Sequence, residues 1–206
     1  MSEPAPPDAP RGRDAELARI GSLLDALADG AAPGWRAVSG AVSAAWRPEP
    51  DRATAWIDVT VPATPEAVAA IVQDPRGTGL AGELLAFTSA ERSPEQRHTR
   101  YAVAMPWPLR PRRFAITSTR HPCTGGLWLL NRSNPEDAAP WSVDGVDGVL
   151  YCSDYRLRAV SGGCRIERLL SIDLKLPMPA RWTGKLLGAE MRADAQRFAR
   201  AVAAAG

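Results

Sequence analysis

The feature that most constrains the fold lies towards the end of the chain, where two strand-like stretches precede a long helical stretch. The first two cover about residues 147–159 and 163–174, and Ser161-Gly162-Gly163 separates them. Alternation around a glycine turn is typical of a β-hairpin. Residues 179–204 then carry apolar side chains at helical spacing. An antiparallel sheet needs cover on one face, and this helix is long and apolar enough to provide it.

The predicted C-terminal helix has one continuous apolar face. Its central residues are Leu187, Met191, Ala195, Phe198 and Val202, and Trp182, Leu186, Ala189 and Ala193 are expected to broaden the face. Gly184 and Gly188 lie one turn apart on the same helix. Because glycine lowers helix stability, the pair predicts a place where another part of the molecule comes close.

The rest of the chain completes an α+β pattern. A helix is expected over about residues 14–29, and a short one over about 65–73, where Thr64 provides the N-cap. Alternation predicts further strands at about 35–38, 42–46, 55–61, 83–91, 97–105, 113–121 and 126–131. Residues 1–13 are expected to form a flexible tail, and residues 14–206 a single domain.

Composition and charge exclude several function classes. The 206 residues include 25 basic and 23 acidic side chains, so a net charge of +2 gives no electrostatic basis for nucleic-acid binding. The three cysteines and two histidines lack metal-ligand spacing, and neither a metal nor a cofactor is expected. No segment approaches the roughly 18 apolar residues of a membrane span, and no signal sequence is evident. We therefore expect a soluble, cytoplasmic protein; the sequence defines no oligomeric state.

Three segments resemble motifs of a known family. Leu169-Leu170-Ser171-Ile172-Asp173-Leu174-Lys175, with the prolines after it, resembles the segment leading into the C-terminal helix of StAR-related lipid-transfer (START) domains. Pro108-Leu109-Arg110-Pro111-Arg112-Arg113-Phe114 is similar to the family's P-L-x-x-R-D-F segment, with Arg113 replacing the family's aspartate. Residues 58–75 resemble the family's strand, its short helix after a small residue and Pro-Glu, and its Asp-Pro stop. Together the resemblance covers about residues 33–204.

The resemblance implies a helix-grip fold, in which a curved antiparallel sheet wraps around a long C-terminal helix, here with an extra N-terminal helix. Family members bind sterols, phospholipids, ceramides or other apolar molecules in a tunnel between sheet and helix. The resemblance therefore implies binding, and transport or sensing, of a lipid or other apolar small molecule. The wider superfamily includes polyketide cyclases and aromatases, so an enzyme of that type using the same pocket is the alternative.

The expected ligand-binding residues follow from alternation along the strands and from helical spacing. They are Tyr101, Met105, Phe114, Ser118, Tyr151, Tyr155, Arg168, Leu187 and Met191, with Trp107 at the rim. Tyr151 and Tyr155 are the strongest polar candidates, because a buried phenol needs a partner that a ligand can supply. No catalytic residue is assigned. Under the enzyme alternative, Tyr151, Tyr155, Arg168 or His98 would act as acid or base.

Arg168 has two competing interpretations. Alternation places it on the inward face, where a guanidinium has to be paired. Its partner would then be a ligand carboxylate or phosphate, or a protein carboxylate such as Glu190 or Asp194. In the other interpretation, a β-bulge turns Leu169 inward and Arg168 outward.

Trp107 lies close to the one dense basic patch, formed by Arg110, Arg112 and Arg113. An exposed aromatic ring beside cationic side chains suits an anionic surface, so transient contact with a membrane is expected. A tryptophan packed under the sheet is the alternative. Ligand release would need movement of the last helix or of a loop, such as residues 106–112 or 131–145.

Overall fold

The computed structural model describes residues 9–38, 42–74, 83–134, 136–137, 139–177 and 180–205, and the chain divides into two units. The first unit, Met1–Pro33, contains helix α1 (Ala9–Ala28), which begins earlier than predicted. Gly30 follows α1 with a φ of 67°, as expected of a glycine that ends a helix. The tail over residues 1–13 and the single domain over 14–206 stay predictions, and residues 1–8 lie outside the described part.

The second unit, Gly34–Gly206, contains all the described strands and two helices, which confirms the predicted α+β class. Its elements are β1 (Arg36–Val38), β2 (Ser43–Pro48), β3 (Ala53–Val61), α2 (Pro65–Val72), β4 (Leu84–Ser93), β5 (Gln96–Val103), β6 (Arg112–Cys123), β7 (Gly126–Ser133), β8 (Val146–Asp147), β9 (Val149–Val160), β10 (Gly163–Asp173) and α3 (Ala180–Ala205). Thr64 caps α2 as predicted, accepting a hydrogen bond from the Ala67 amide.

The described strands form one curved sheet in the order β1-β2-β3-β10-β9-β7-β6-β5-β4, with β8 attached to β6. The described pairs are antiparallel except for β6 with β8. β9 and β10 form the predicted hairpin, and Gly162 and Gly163 at its turn both have positive φ. β10 also pairs with β3 over the whole length of β3. The N-terminal strands therefore join the C-terminal hairpin in a continuous surface.

α3 covers the face formed by β2 and β3, which we call the inner face. Met191 and Ala195 of α3 are both 2% exposed and share an apolar cluster with Trp46, Ile57 and Leu170. α2 covers a second part of the same face, over β7 and β9. The buried members of this second cluster are Val61, Val68, Ala69, Leu127, Leu129, Tyr155, Leu157, Cys164 and Ile166.

Gly184 and Gly188 bring α3 close to the sheet at Trp46. A Cβ atom on Gly184 would lie 2.8 Å from Cε3 of Trp46, and one on Gly188 would lie 3.2 Å from its Cβ. The predicted close approach is therefore confirmed. The predicted broadening of the apolar face is wrong for Trp182 and Leu186, which are 56% and 57% exposed. Because the two glycines occupy the line of contact, these larger residues lie to its side.

Other positions of the predicted apolar face have mixed outcomes. Leu187 is half-buried and packs against the first cluster, as expected. Ala189 is exposed and Ala193 is half-buried. The side chains of Phe198 and Val202 lie outside the described part of the chain.

The opposite, outer face of the sheet carries a buried ionic network. Glu167 of β10 is 0% exposed and accepts hydrogen bonds from Arg156 at 2.7 and 2.6 Å and from Arg158 at 3.0 Å. Arg165 donates to Asp58 from two nitrogens, with a shortest distance of 2.6 Å. A slip of one residue would carry these charges to the apolar inner face, so the network helps to fix the register of β10.

We expect Gly184→Val to lower the free energy of unfolding by about 2 kcal/mol, because the new side chain would overlap the Trp46 ring. Urea denaturation followed by circular dichroism measures the change. Gly12→Val in α1 is the matched control, since nothing lies within 4 Å of a Cβ added there, and it should change stability by less than about 0.5 kcal/mol. Equal stability of the two variants would contradict the close packing of α3 on Trp46.

Candidate functional site

Five polar residues form a chain of hydrogen bonds across the inner face. Ser118 of β6 donates to the Asn131 side chain of β7, whose amide nitrogen donates to the Ser153 carbonyl of β9. Arg168 of β10 donates from Nε to the Ser153 hydroxyl at 3.3 Å. Its Nη1 donates to Asp194 of α3 at 3.2 Å. We call these residues the polar belt, which connects four strands and reaches α3 through Asp194.

The polar belt is buried among apolar side chains. Ser118, Asn131 and Ser153 are 4%, 7% and 5% exposed. Buried polar groups lower stability unless they are hydrogen-bonded, and apolar residues could fill the same space without that risk. Ligand sites typically combine apolar walls with a few placed polar groups. The belt is therefore the best candidate for a binding site on the inner face.

Arg168 lies on the inner face, which confirms the prediction from alternation. It is opposite Tyr155 on β9, and Asp194 is its acidic partner, as one of the alternatives proposed. A β-bulge does occur in this hairpin, but between Ser171 and Ile172, so Arg168 stays in register. The side chains of Arg168 and Asp194 are 17% and 24% exposed. This ion pair is thus only partly screened by solvent.

Two tyrosines lie near Arg168, of which Tyr155 is buried and Tyr101 is half-buried. Its Cζ is 5.0 Å from the ring centroid of Tyr155, and the Tyr101 ring stacks on Phe114 with centroids 5.2 Å apart. Burial raises the pKa of Tyr101 to about 12, although the charge of Arg168 opposes the shift. Burial also raises the pKa of Tyr155. Burial lowers the pKa of Arg168, but attraction to Tyr155 and Asp194 outweighs it and raises the pKa overall. At neutral pH both phenols are therefore protonated hydrogen-bonding groups.

A cavity of about 30 Å³ lies beside Arg168. Its lining residues are Ile57, Val59, Val72, Tyr155, Ile166, Arg168, Asp194 and Ala195. This volume holds about two water molecules. The described side chains thus leave room at the polar belt for a head group but not for an apolar chain, and the tunnel implied by the resemblance stays a prediction.

The structure brings most of the predicted ligand residues together. Phe114 and Met191 are each 2% exposed and belong to the first apolar cluster, against which Tyr101 and Leu187 pack. Ser118 and Arg168 are members of the polar belt, and Tyr155 lies beside it. Their role in ligand binding stays a prediction.

Tyr151 does not follow the predicted alternation. The β-bulge skips Tyr151, so that Cys152 and Leu150 are the residues opposite β10. Leu150 takes the inner position and joins the first apolar cluster, while the Tyr151 ring lies 4.1 Å from the guanidinium of Arg52. The prediction that Tyr151 and Tyr155 share a face is therefore wrong, because one extra residue reverses the alternation.

Two predicted ligand residues lie beyond the end of β5. Met105 is half-buried, but β5 ends at Val103, so strand alternation does not define its side. Trp107 is 92% exposed, so the alternative of a tryptophan packed under the sheet is wrong. Contact between Trp107 and a membrane stays a prediction.

The basic patch near Trp107 is largely engaged within the protein. Arg110 pairs with Asp144 at 2.6 Å, and Arg113 pairs with Asp147 at 2.8 Å. Arg112 is 2% exposed and donates to the backbone carbonyls of Arg110, Leu174 and Lys175. The patch therefore presents less positive charge to a membrane than the sequence suggests.

Asn131 is the functional candidate that sequence reasoning missed. Its Asn-Arg-Ser-Asn-Pro surroundings have a loop composition, and the loop was predicted to start there, whereas β7 continues to Ser133. The signal was present in the alternation of Leu127 and Leu129, which places residue 131 on the same face.

Other reactive groups offer little chemistry. Among the residues that the structure describes, no group of three or more His, Cys, Asp or Glu side chains could hold a metal ion. Burial raises the pKa of Cys152 to about 12 and that of Cys164 to about 11, so neither thiol is ionised at neutral pH. No helix within the described ranges is long and apolar enough to cross a membrane.

Comparison with known proteins identifies the fold. No protein-family model and no curated protein sequence matches the chain. The human StarD13 (DLC2) lipid transfer and protein localization domain is similar with a TM-score of 0.72 and 21% identity, over 89% of this chain and 95% of that chain. Human STARD10 gives a TM-score of 0.74 and 18% identity, over 98% and 82%. The chain has the START-like helix-grip fold.

A bacterial structure extends this likeness. A STAR-related lipid transfer protein from Xanthomonas axonopodis has a TM-score of 0.65 and 12% identity, over 82% of this chain and 98% of that chain. Identities this low show the fold alone. In this START-like fold the Arg168 end of the polar belt lies between the sheet and the C-terminal helix, where Arg168 of β10 pairs with Asp194 of α3.

Tyr101 should make stability depend on pH in the alkaline range. Between pH 10 and about 12 the unfolded chain loses the phenolic proton of Tyr101 while the folded chain keeps it. The contribution of Tyr101 to the free energy of unfolding is therefore constant below this range and falls within it. A shift of about two pKa units corresponds to about 2–3 kcal/mol. Urea denaturation at pH 9 and pH ~11.5 should show a smaller alkaline loss for Tyr101→Phe than for the wild type. The difference in stability between Tyr101→Phe and the wild type should be the same at pH 7 and pH 9, which serves as the internal control.

Proposed function

We propose that the chain binds a lipid or other apolar small molecule between the inner face and α3, and that it carries or senses this molecule. The polar belt is the observation that supports this function most, because it sets hydrogen-bonding groups within an apolar interface. Apolar walls would hold the ligand, and the belt would orient it. Two of the similar structures are named for lipid transfer, which supports the same function.

Ligand uptake would require part of the structure to move. The cavity of about 30 Å³ is far smaller than the roughly 300 Å³ or more of a typical ligand site. Movement of α3, which contributes Asp194 and Ala195 to the lining, would enlarge it. A ligand that buries about 300 Å² of apolar surface gains about 7–8 kcal/mol, which can offset the cost of opening. Such movement of α3 would change the close contact of Gly184 and Gly188 with Trp46.

Binding explains the site better than catalysis by a cyclase or aromatase. The polar groups of the site do converge, as an enzyme would need. However, the raised pKa values of Tyr101, Tyr155 and Arg168 place these groups further from neutrality, where general acids and bases are inefficient. We therefore expect no turnover of a diketide or longer polyketide mimic by the purified protein. Catalytic release of a cyclised product would contradict this assignment.

Filling the space beside α3 should block binding. Met191→Trp adds volume at a position that is 2% exposed, next to the proposed ligand site. We expect the variant to retain at least about tenfold less lipid than the wild type. The larger side chain would occupy the space that the ligand needs, and extra atoms in a packed core cost about 1–3 kcal/mol. Native mass spectrometry of protein incubated with a total lipid extract measures the retained ligand.

Leu186→Trp is the matched control, because Leu186 is on the same helix but 57% exposed, and it should retain lipid like the wild type. Thermal unfolding of both variants checks that they are folded. The proposed function fails if the wild type retains no ligand and a crystal structure shows no cavity larger than about 300 Å³.

A further inference from the structure

We propose that the ligand is an amphiphile with a carboxylate head group, which binds Arg168 by displacing Asp194. This inference rests on the proposed function, since it specifies the ligand of the same site. Displacement would break the ion pair that joins β10 to α3, so ligand uptake and the release of α3 would be one event.

The contacts of Arg168 are weak for an arginine in an ion pair. It donates one hydrogen bond to Asp194 at 3.2 Å, whereas charge-assisted bonds are typically about 2.7–2.9 Å. On the outer face, Arg156 donates two bonds to Glu167 at 2.7 and 2.6 Å. The Arg156–Glu167 pair is therefore shorter than the Arg168–Asp194 pair and has one more hydrogen bond. A ligand carboxylate that binds Arg168 in the same way would replace a poorer contact with a better one.

The guanidinium of Arg168 also has one nitrogen, Nη2, that could donate a hydrogen bond to a ligand. Its Nε and Nη1 bond Ser153 and Asp194, and within the described part of the chain Nη2 makes no hydrogen bond. Arg168 lines the cavity of about 30 Å³, and this space suits a head group of few atoms. Arg168 therefore has both a donor and a neighbouring volume for a carboxylate.

Charge balance favours an anion over a neutral head group. Arg168 and Asp194 together carry no net charge, and Asp194 is 24% exposed, so its carboxylate can turn to solvent when α3 shifts. A carboxylate ligand would then restore the neutral pair with Arg168 inside the site. An alcohol could bridge Arg168 and Asp194 by accepting from one and donating to the other, but it would leave their attraction in place.

The experiment compares oleate with oleyl alcohol, which have the same apolar chain and differ in the head group. Affinities are measured by displacement of a fluorescent apolar probe. We expect the wild type to bind oleate at least about tenfold more tightly than the alcohol. Asp194→Asn removes the competing carboxylate, so it should raise the affinity for oleate by about tenfold and leave the affinity for the alcohol within about threefold.

Two further variants keep the inference falsifiable. Glu190→Gln removes an acidic side chain one turn earlier on α3, at an exposed position, and should leave both affinities unchanged. Arg168→Met/Asp194→Asn removes both charges without leaving either one buried alone, and it should bind oleate and the alcohol equally.

The outcomes separate this inference from the proposed function. If the wild type and the double variant bind both probes with equal affinity, the carboxylate assignment is overturned but apolar binding stands. If Asp194→Asn weakens oleate binding, Asp194 does not compete for Arg168 and the exchange is wrong. If no variant binds either probe, the proposed function itself fails.

Discussion

The register of β10 is the constraint on which the rest of the structure depends. β10 lies between β3 and β9 and pairs with both over most of its length. Its inner positions include Ile166, Arg168 and Leu170, while Glu167 on the outer face is held by arginines. The two faces make opposite demands, so only one register satisfies both. That register places Arg168 within hydrogen-bonding distance of Ser153 on β9 and Asp194 on α3, and so completes the polar belt.

Sequence patterns predicted the elements well because each depends on local periodicity. The hairpin of β9 and β10 and the helix α3 were evident from alternation, glycine turns and helical spacing. Features that depend on partners distant in the chain were less accessible. Helical spacing placed Trp182 and Leu186 on the apolar face of α3. The contact of α3 with Trp46 decides which side of the helix faces the sheet, and it leaves both residues exposed.

The candidate site was predicted only in part, because local periodicity shows which side of a strand a residue faces but not which residues of other strands lie beside it. Strand alternation was sufficient for Arg168, and Asp194 was one of the two acidic residues named as its possible partner within the protein. The bulge that excludes Tyr151 leaves no clear mark in the sequence, since it depends on how β9 meets β10. Asn131 was the residue at which the predicted strand over 126–131 met the predicted loop over 131–145, and the loop composition outweighed the alternation there. A polar belt is built from cross-strand neighbours, and these are known only once the strand order is known.

The ionic network around Glu167 has a consequence for how this sequence can evolve. Removing one member of a buried ion pair leaves an uncompensated charge and costs about 3–5 kcal/mol, a large part of the stability of a typical domain. Replacing all the members by apolar residues can instead be nearly neutral. Positions 156 and 167 are therefore expected to change together or not at all in related sequences. Their inheritance as a pair would reflect the stability of the outer face, and it would persist even where the ligand differs.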